Sequence, residues 1–350
     1  DSDSGNDYIV VVRATDSASN TSDQTVTISV ADVNEASWTQ VGSDIDGESD
    51  GNGLGFSVAL SSDGSIIACG AMYSNGVNGD KPAIGHVRIF KNVNNTWTQI
   101  GSAIEGENTG DFSGYTVNIS NDGSIVAIGA PWNSGSAAES GHVRIYKNSS
   151  GNWTQVGTDI DGENRLDSFG SHIASDLSGD GNIVAIGWIN HGEGDLISAG
   201  HVRIFQNISG NWVKIGDIDG EAKNDYSGWS VSLSDDGSVV AIGAVHNDGN
   251  GDGSGHVRIY KNLSGTWTQV GTDIDGEAAK DQLGSSVSLS KDGNIVAIGA
   301  PYNDGNGSNS GHVRIYQNVG ESWTQVGSDI DGEAADDYSG WNVKLSDDGS

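Results

Sequence analysis

Residues 286–330 contain, in order, SVSLS (Ser286–Ser290), NIVAIGAP (Asn294–Pro301), HVRIYQN (His312–Asn318) and SWTQVGSDI (Ser322–Ile330). Each run is short, rich in β-branched or aromatic residues, and bounded by Gly, Asp, Asn or Ser, which is the punctuation of strands. No segment of the chain repeats its apolar residues at the 3.6-residue period of a helix. Lys291-Asp292-Gly293 joins the first two runs, a tight turn in which Gly supplies positive φ. A longer Gly/Asn loop joins the second run to the third. Four runs connected in this way predict one antiparallel four-stranded sheet. The second run, IVAIGA, is apolar almost throughout, so both of its faces are expected to be buried.

Outward from this stretch the same unit recurs. GHVRI followed by Phe or Tyr begins at Gly85, Gly141, Gly200, Gly255 and Gly311. The Trp string W[TV][QK][VI]G begins at Trp38, Trp97, Trp153, Trp212, Trp267 and Trp323. An S-x-D-G turn leading into the apolar run carries Asp63, Asp122, Asp236, Asp292 and Asp348, with the variant SGDG at Asp180. Four strands in some fifty-odd residues match a propeller blade, whereas a solenoid would need a shorter repeat. The fold class read here is all-β: a β-propeller of four-stranded antiparallel blades over residues 37–350. Trp38 opens a fourth strand without its first three, and Asn342–Ser346 is a first strand without the rest. The sequence therefore reads as a fragment with five complete blades of a six- or seven-bladed parent. The recurring Trp is expected to pack between blades, with an exposed sugar-stacking platform as the alternative.

Composition narrows the function. Acidic residues number 48 against 16 basic, for a net charge of −32. Such a surface repels phosphate backbones, so no nucleic-acid partner is expected. It attracts cations, and calcium is the candidate for a chain rich in Asp, Asn and Gly. The single cysteine, Cys69, excludes an intrachain disulfide. No stretch approaches the ~18 apolar residues of a membrane helix, so no membrane insertion is expected of these residues. No GxSxG, HExxH or Cys–His pairing marks a catalytic site. Asp and Glu are spread evenly over the repeats, which argues against one carboxylate pair of glycosidase type.

Two family resemblances follow from particular residues. YSGWSVSLSDDGSVVAIGA (Tyr226–Ala244) and LGSSVSLSKDGNIVAIGAP (Leu283–Pro301) resemble FG-GAP repeats, the blades of the integrin α-subunit propeller. Phe169-Gly170, Gly129-Ala130-Pro131 and Gly299-Ala300-Pro301 carry the pieces that give the pattern its name. The resemblance spans residues 38–350 and implies a seven-bladed propeller engaged in adhesion or ligand binding. The family's calcium loop, D-x-[DN]-x-D-G-x-x-D, is shortened here to S-x-D-G with no acid after the Gly. Calcium wants six to eight oxygens, so Asp63, Asp122, Asp236, Asp292 and Asp348 are expected to be turn residues. Residues 1–36 resemble the last two strands of a cadherin-type repeat, through Ala14-Thr15-Asp16 and Asp32-Val33-Asn34-Glu35. That resemblance implies calcium ligation by Asp16, Asp32 and Asn34; an ordinary Ig-like strand pair is the alternative.

Candidate sites inside the repeat compete with structural roles. Asp248, Asn250 and Asp252 alternate oxygen donors with Gly, like the start of an EF-hand loop, and are the best calcium candidates, but the bidentate acid that closes such a loop is absent and a plain flexible loop is the competing reading. D-x-D-G-E-x-x-x-D recurs at Asp159–Asp167, Asp217–Asp225, Asp273–Asp281 and Asp329–Asp337. Its spacing mimics a calcium loop, but its acids are expected to pair with the recurring Arg and to cap turns. His86, His142, His201, His256 and His312 alternate with Arg88, Arg144, Arg203, Arg258 and Arg314 in GHVRI[FY]. The His are expected to be packed spacers, with an axial metal ring as the alternative, and the Arg to meet the acids across blades. The third unit breaks symmetry most, with Trp188 where the others have Ala and the loop Asn190–Asp195. There His191, Glu193 and Asp195 are donors of the type that holds a transition metal, but a drifted loop without that role is the expected reading. The functional expectation is a non-catalytic extracellular or cell-surface module that binds a protein or glycan of the cell surface. A lectin-like propeller and a polysaccharide-degrading one are the alternatives.

Overall fold

The second strand of each repeat explains the architecture, because its alternate residues enter different cores. In Ile125–Ala130, Val126 and Ile128 pack with Val87 and Ile89 of the preceding unit, while Ile125 and Ala127 pack with Val184 and Ile186 of the following one. In Val239–Ala244, Val240 and Ile242 face backward and Val239 and Ala241 forward. A strand sandwiched this way is apolar on both faces, as IVAIGA required, and its alternation puts successive side chains on opposite sides. Four such cores lie between five successive sheets. The architecture is therefore a series of radial blades rather than one two-layer sandwich.

The chain, seen here in a computed structural model, is described over residues 7–15, 21–29, 39–76, 79–163, 173–190 and 197–349. It forms two compact units, Asp1–Ser43 and Asp44–Ser350. In the first, Asp7–Thr15 and Thr21–Ser29 form an antiparallel pair. In the second, blade one comprises Leu54–Leu60, Ile66–Ala71, His86–Val93 and Thr96–Gln99. Blade two comprises Thr116–Ile119, Ile125–Ala130, His142–Ser149 and Asn152–Gln155. Blade three comprises Ile173–Leu177, Ile183–Trp188, His201–Ile208 and Asn211–Asp219. Blade four comprises Ser227–Leu233, Val239–Ala244, His256–Leu263 and Thr266–Gln269. Blade five comprises Ser286–Leu289, Ile295–Ala300, His312–Asn318 and Trp323–Gln325. Each pairs in sequence order, antiparallel throughout.

Two strand expectations need correction. The fourth run is not one continuous strand: after Gln325 the pairing lapses and resumes at Ile330–Asp331, opposite His312 and Val313. Blades one, two and four break in the same place. Only in blade three is the run unbroken, at the cost of a register shift between Ile204 and Phe205. The Gly-Ser/Thr-Asp between the two halves turns the backbone away from the ladder, and the Gly takes positive φ (Gly157, +74°; Gly271, +75°). Asn342–Ser346 forms no assigned strand, although Leu345 N–H donates to Ser288 Oγ of blade five (3.0 Å).

The hairpin turns converge on the axis. Backbone N–H to carbonyl bonds run Ser62 to Asn121 (3.0 Å), Asn121 to Gly179 (2.8 Å), Gly179 to Asp235 (2.8 Å), Asp235 to Lys291 (2.8 Å) and Lys291 to Asp347 (2.9 Å). Lys291 Nζ then reaches back to Ser62 Oγ of blade one (3.1 Å). Turns 229 residues apart thus share one small polar cap, which is what a radial arrangement produces. The S-x-D-G residues act as expected. In blade four Ser234 Oγ donates to Asp236 Oδ1 (2.8 Å) and accepts from Val239 N (2.9 Å), while Asp236 accepts from Ser238 N (2.9 Å). Such bonds hold the Asp236 carboxyl below its ordinary range despite opposing burial.

Glycine is required where blades touch backbone to backbone. A Cβ on Gly70, Gly187, Gly243 or Gly299 would lie within about 2 Å of the carbonyl oxygen of Gly114, Gly228, Gly284 or Gly340 in the next unit. The recurring Trp also joins blades: Nε1 of Trp153, Trp212 and Trp323 donates to the carbonyls of Ile100, Val156 and Val270 (2.9, 2.9 and 3.0 Å). The rings are partly buried against the interblade cores, so they are packing elements. Trp188 is fully buried in the core between blades two and three. Val58 and Leu60 of blade one are 58% and 57% exposed, where the matching Val117 and Leu289 are 6% and 7%. No preceding blade covers them among the described residues.

Candidate functional site

Third strands carry the His–Arg pair into the blade interfaces. His86, His142, His201, His256 and His312 are all buried. Burial, then the adjacent Arg, pushes His142 and His256 down to about 4, so both imidazoles are neutral near pH 7. Their Nδ1 atoms lie 3.5 and 3.7 Å from Asp159 and Asp273, and His312 lies 3.7 Å from Asp329. Neither nitrogen of His86 or His142 has a hydrogen-bond partner. A buried polar atom left so costs ~1–3 kcal/mol.

Each Arg reaches an acid of the preceding blade, as expected. Arg203 meets Glu163 (2.6 Å), Arg258 meets Glu221 (3.1 Å) and Arg314 meets Glu277. Arg144 lies 3.6 Å from Glu107, and Arg88 lies 3.5 Å from Glu48. Only Arg203 and Arg314 also bind the first Asp of their own blade's motif, Asp217 (3.3 Å) and Asp329 (2.7 Å). Arg144 and Arg258 instead donate to the carbonyls of Glu105 (2.7 Å) and Asp219 (2.8 Å). The guanidinium of Arg144 or Arg258 also stacks 5.6 Å over Tyr146 or Tyr260.

The last Asp of D-x-D-G-E-x-x-x-D is a loop anchor. Asp225 accepts from Ala222 N (3.1 Å) and Asn247 Nδ2 (3.1 Å); Asp281 does the same with Ala278 N (3.1 Å) and Asn303 Nδ2 (2.8 Å). These acids are nearly fully buried and fix the loop before each first strand to the loop after each second strand. The motif is a scaffold for the face that the loops form.

On that face, between blades four and five, lies a cleft of about 600 Å³, within the size of small-ligand sites. Its walls bring together Lys223 and Lys280, the carboxylates Asp248, Asp252 and Asp304, and the rings His246 and Tyr302. Lys280 N–H to Asp252 carbonyl (2.8 Å) and Gln282 N–H to Gly253 carbonyl (3.2 Å) lace its two loops together. Around it aromatic rings meet: Tyr226–His246 tilted at 4.9 Å, and Tyr302 edge-on with Tyr338 (5.5 Å) and Trp341 (6.0 Å). Asp248 and Asp252 therefore face a cleft, but Asn250 does not join them. Its Nδ2 donates to the Gly276 carbonyl (2.8 Å), and Asp248 Oδ1 caps Gly253 N (2.9 Å). Sequence reasoning missed Lys223, Lys280, His246 and Tyr302. One signal was available: the residue three after the second-strand Gly is Tyr73, Trp132, His246 or Tyr302 in four of five repeats.

Groups of three possible metal ligands gather elsewhere, at Glu107–His142–Asp159, His201–Asp217–Asp219, Glu221–His256–Asp273 and Glu277–His312–Asp329. Among the described residues no such group joins two His: His142, His201, His256 and His312 each gather with acids in a separate cluster, which does not support an axial His ring. Asp16, Asp32, Asn34, Phe169-Gly170, Asp167 and the 191–195 loop lie outside the described residues.

Radial four-stranded sheets joined by interblade cores define a β-propeller. A family model described as FG-GAP repeat matches residues 212–260 and 267–316. Both stretches start at the recurring Trp and end within the third strand of the next blade, so these residues are FG-GAP repeats offset by one strand from the blades. No curated protein matches the chain. Similar solved structures include a provisionally named 6-phosphogluconolactonase from Bacteroides uniformis, with TM-score 0.53, 12% identity, and coverage of 79% of this chain and 71% of that one. Hydrazine synthase from Kuenenia stuttgartiensis aligns with TM-score 0.51, 12% identity, and coverage of 84% and 78%. At that identity they show the fold alone. No helix is long and apolar enough to cross a membrane among the described residues.

Proposed function

We propose that this propeller is a non-catalytic binding module of a secreted or surface-exposed protein, and that it holds its ligand in the cleft between blades four and five. The observation that carries the reading is the composition of that cleft. Two lysines, three carboxylates and several amides surround the Tyr302 ring, a mixture suited to the hydroxyls and C–H faces of a saccharide or to a polar peptide. The recurrent acids near it, Glu221, Glu277, Asp225 and Asp281, by contrast are engaged with Arg or Asn side chains, which suits a structural role. A cell-surface glycan or protein is the ligand class. Calcium enters this reading only through Asp248, Asp252 and Asp304; calorimetry showing equal calcium uptake by the wild type and Asp248→Ala/Asp252→Ala would remove it.

A glycan array run beside a hydrolysis screen tests the main reading. Saturable binding that Tyr302→Ala weakens, without turnover, is the expected result. Turnover of a polysaccharide or lactone would replace the reading with an enzymatic one. Binding unaffected by Tyr302→Ala and by Lys280→Ala would move the site elsewhere.

A further inference from the structure

At the interface of blades one and two, buried polar atoms have no hydrogen-bond partner among the described residues. They are both ring nitrogens of His142, Arg144 Nε, Asp161 Oδ1 and Asn133 Oδ1. In blade five the corresponding cluster is closed by a cation, since Arg314 binds Glu277 and Asp329 together. In blade two the guanidinium turns to the Glu105 carbonyl and stands off Glu107 by 3.6 Å. Among the described residues Asp159 receives no guanidinium; its contacts there are Gln155 Nε2 (2.6 Å) and His142 Nδ1 (3.5 Å). Among the described residues three carboxylates, Glu107, Asp159 and Asp161, thus have one Arg, Arg144, beside them.

The spacing is informative. Ligand atoms of Glu107, His142 and Asp159 all lie within 4.8 Å of one another. The 3.5 Å between His142 Nδ1 and Asp159 Oδ2 exceeds a hydrogen bond, which spans ~2.7–3.2 Å. Two ligands each ~2.1 Å from one ion, at an angle of about 110°, would be separated by about that distance. The imidazole is buried, with no hydrogen-bond partner for either nitrogen among the described residues, and Glu107 is half-exposed, so the cluster combines an available nitrogen donor with an opening to solvent. Calcium and magnesium take oxygen donors, whereas a mixed imidazole–carboxylate set suits zinc and its first-row neighbours.

We propose that Glu107, His142 and Asp159 bind one divalent transition-metal ion of the zinc class. The ion would clip blade one, through Glu107, to blade two, through His142 and Asp159, and supply the positive charge that Arg314 supplies in blade five. This site is separate from the loop-face cleft and does not depend on the function proposed for it.

The test uses the whole chain, stripped with a chelator, dialysed, and titrated with zinc chloride by calorimetry. Thermal unfolding is recorded with and without the metal. Uptake of about one ion per chain is expected, with a higher Tm. Glu107→Gln, at a half-exposed position that leaves the fold intact, should lose uptake and the Tm gain, as should His142→Gln. His312→Gln, in the Arg-filled cluster, should keep both. No zinc uptake by the wild type, or equal uptake by wild type and Glu107→Gln, overturns the proposal.

Discussion

Replacing Gly243 with Ala should separate blades four and five. A Cβ there would sit 2.1 Å from the Gly284 carbonyl oxygen and 2.5 Å from Ser230 Oγ, which donates to that same oxygen (2.7 Å). Ordinary contact needs roughly another 1 Å, and the obstacle is backbone held by the Gly284 N–H to Gly299 carbonyl bond (3.1 Å). The blades must therefore part, or the second strand must shift out of its two cores. Overpacking strain of about 2 kcal/mol and a lost hydrogen bond of about 1 kcal/mol sum to about 3 kcal/mol. Gly64→Ala is the control. Gly64 has φ +66° with nothing within 4 Å of a Cβ, so it should lose only the left-handed penalty of about 1 kcal/mol. Urea unfolding monitored by tryptophan fluorescence measures both. Midpoints should be compared at matched slopes, because repeated blades need not unfold in a single step. If Gly243→Ala costs no more than Gly64→Ala, the close backbone approach between blades is wrong, and with it the packing argument built on it.

Acid should weaken the fold through the interblade histidines. His142 and His256 titrate near 4 when folded, below the ordinary 6.5. The folded state thus binds fewer protons, and the contribution is complete above pH 6.5 and lost as pH falls from there toward 4. Each is worth at most about 3 kcal/mol; urea midpoints across that window should fall, and less steeply in His256→Gln, while a flat profile would contradict it. Arg258→Ala removes the contact with Glu221 and the bond to the Asp219 carbonyl. Because Glu221 is half-exposed and screened, a loss of about 1 kcal/mol is expected; unchanged thermal unfolding would mean that the pair is decorative.

Much of the architecture was legible in local pattern. Alternation in IVAIGA specified a strand buried on both faces, because each face meets a different blade. The S-x-D-G turn was legible because its bonds close within five residues, Ser234 to Val239 being the longest. The interruption of the fourth strand was not. Whether the ladder lapses depends on backbone geometry opposite Ile204 or its equivalents; Trp212–Asp219 lacks the residue that follows the Gly in the other units, but that difference in length does not by itself say which version keeps the ladder. The Asp248–Asp252 loop looked like a ligand set, but its central Asn was drawn off by a carbonyl 26 residues away.

What the residues alone determined, then, is the repeating strand order, the two-sided burial of each second strand, and the pairing of recurrent Arg with acids. Those follow from hydrogen-bond valence and apolar periodicity, which act over a few residues and recur identically in every unit. Only the tertiary structure decided that loops from two blades enclose a cleft with Lys223, Lys280 and Tyr302. It also decided that Arg314 closes its cluster while Arg144 turns away from Asp159. Such differences arise where chain segments some 15 to 50 residues apart meet. There, small shifts in blade packing determine which donor reaches which acceptor first, and near-identical sequence repeats carry almost no record of that choice.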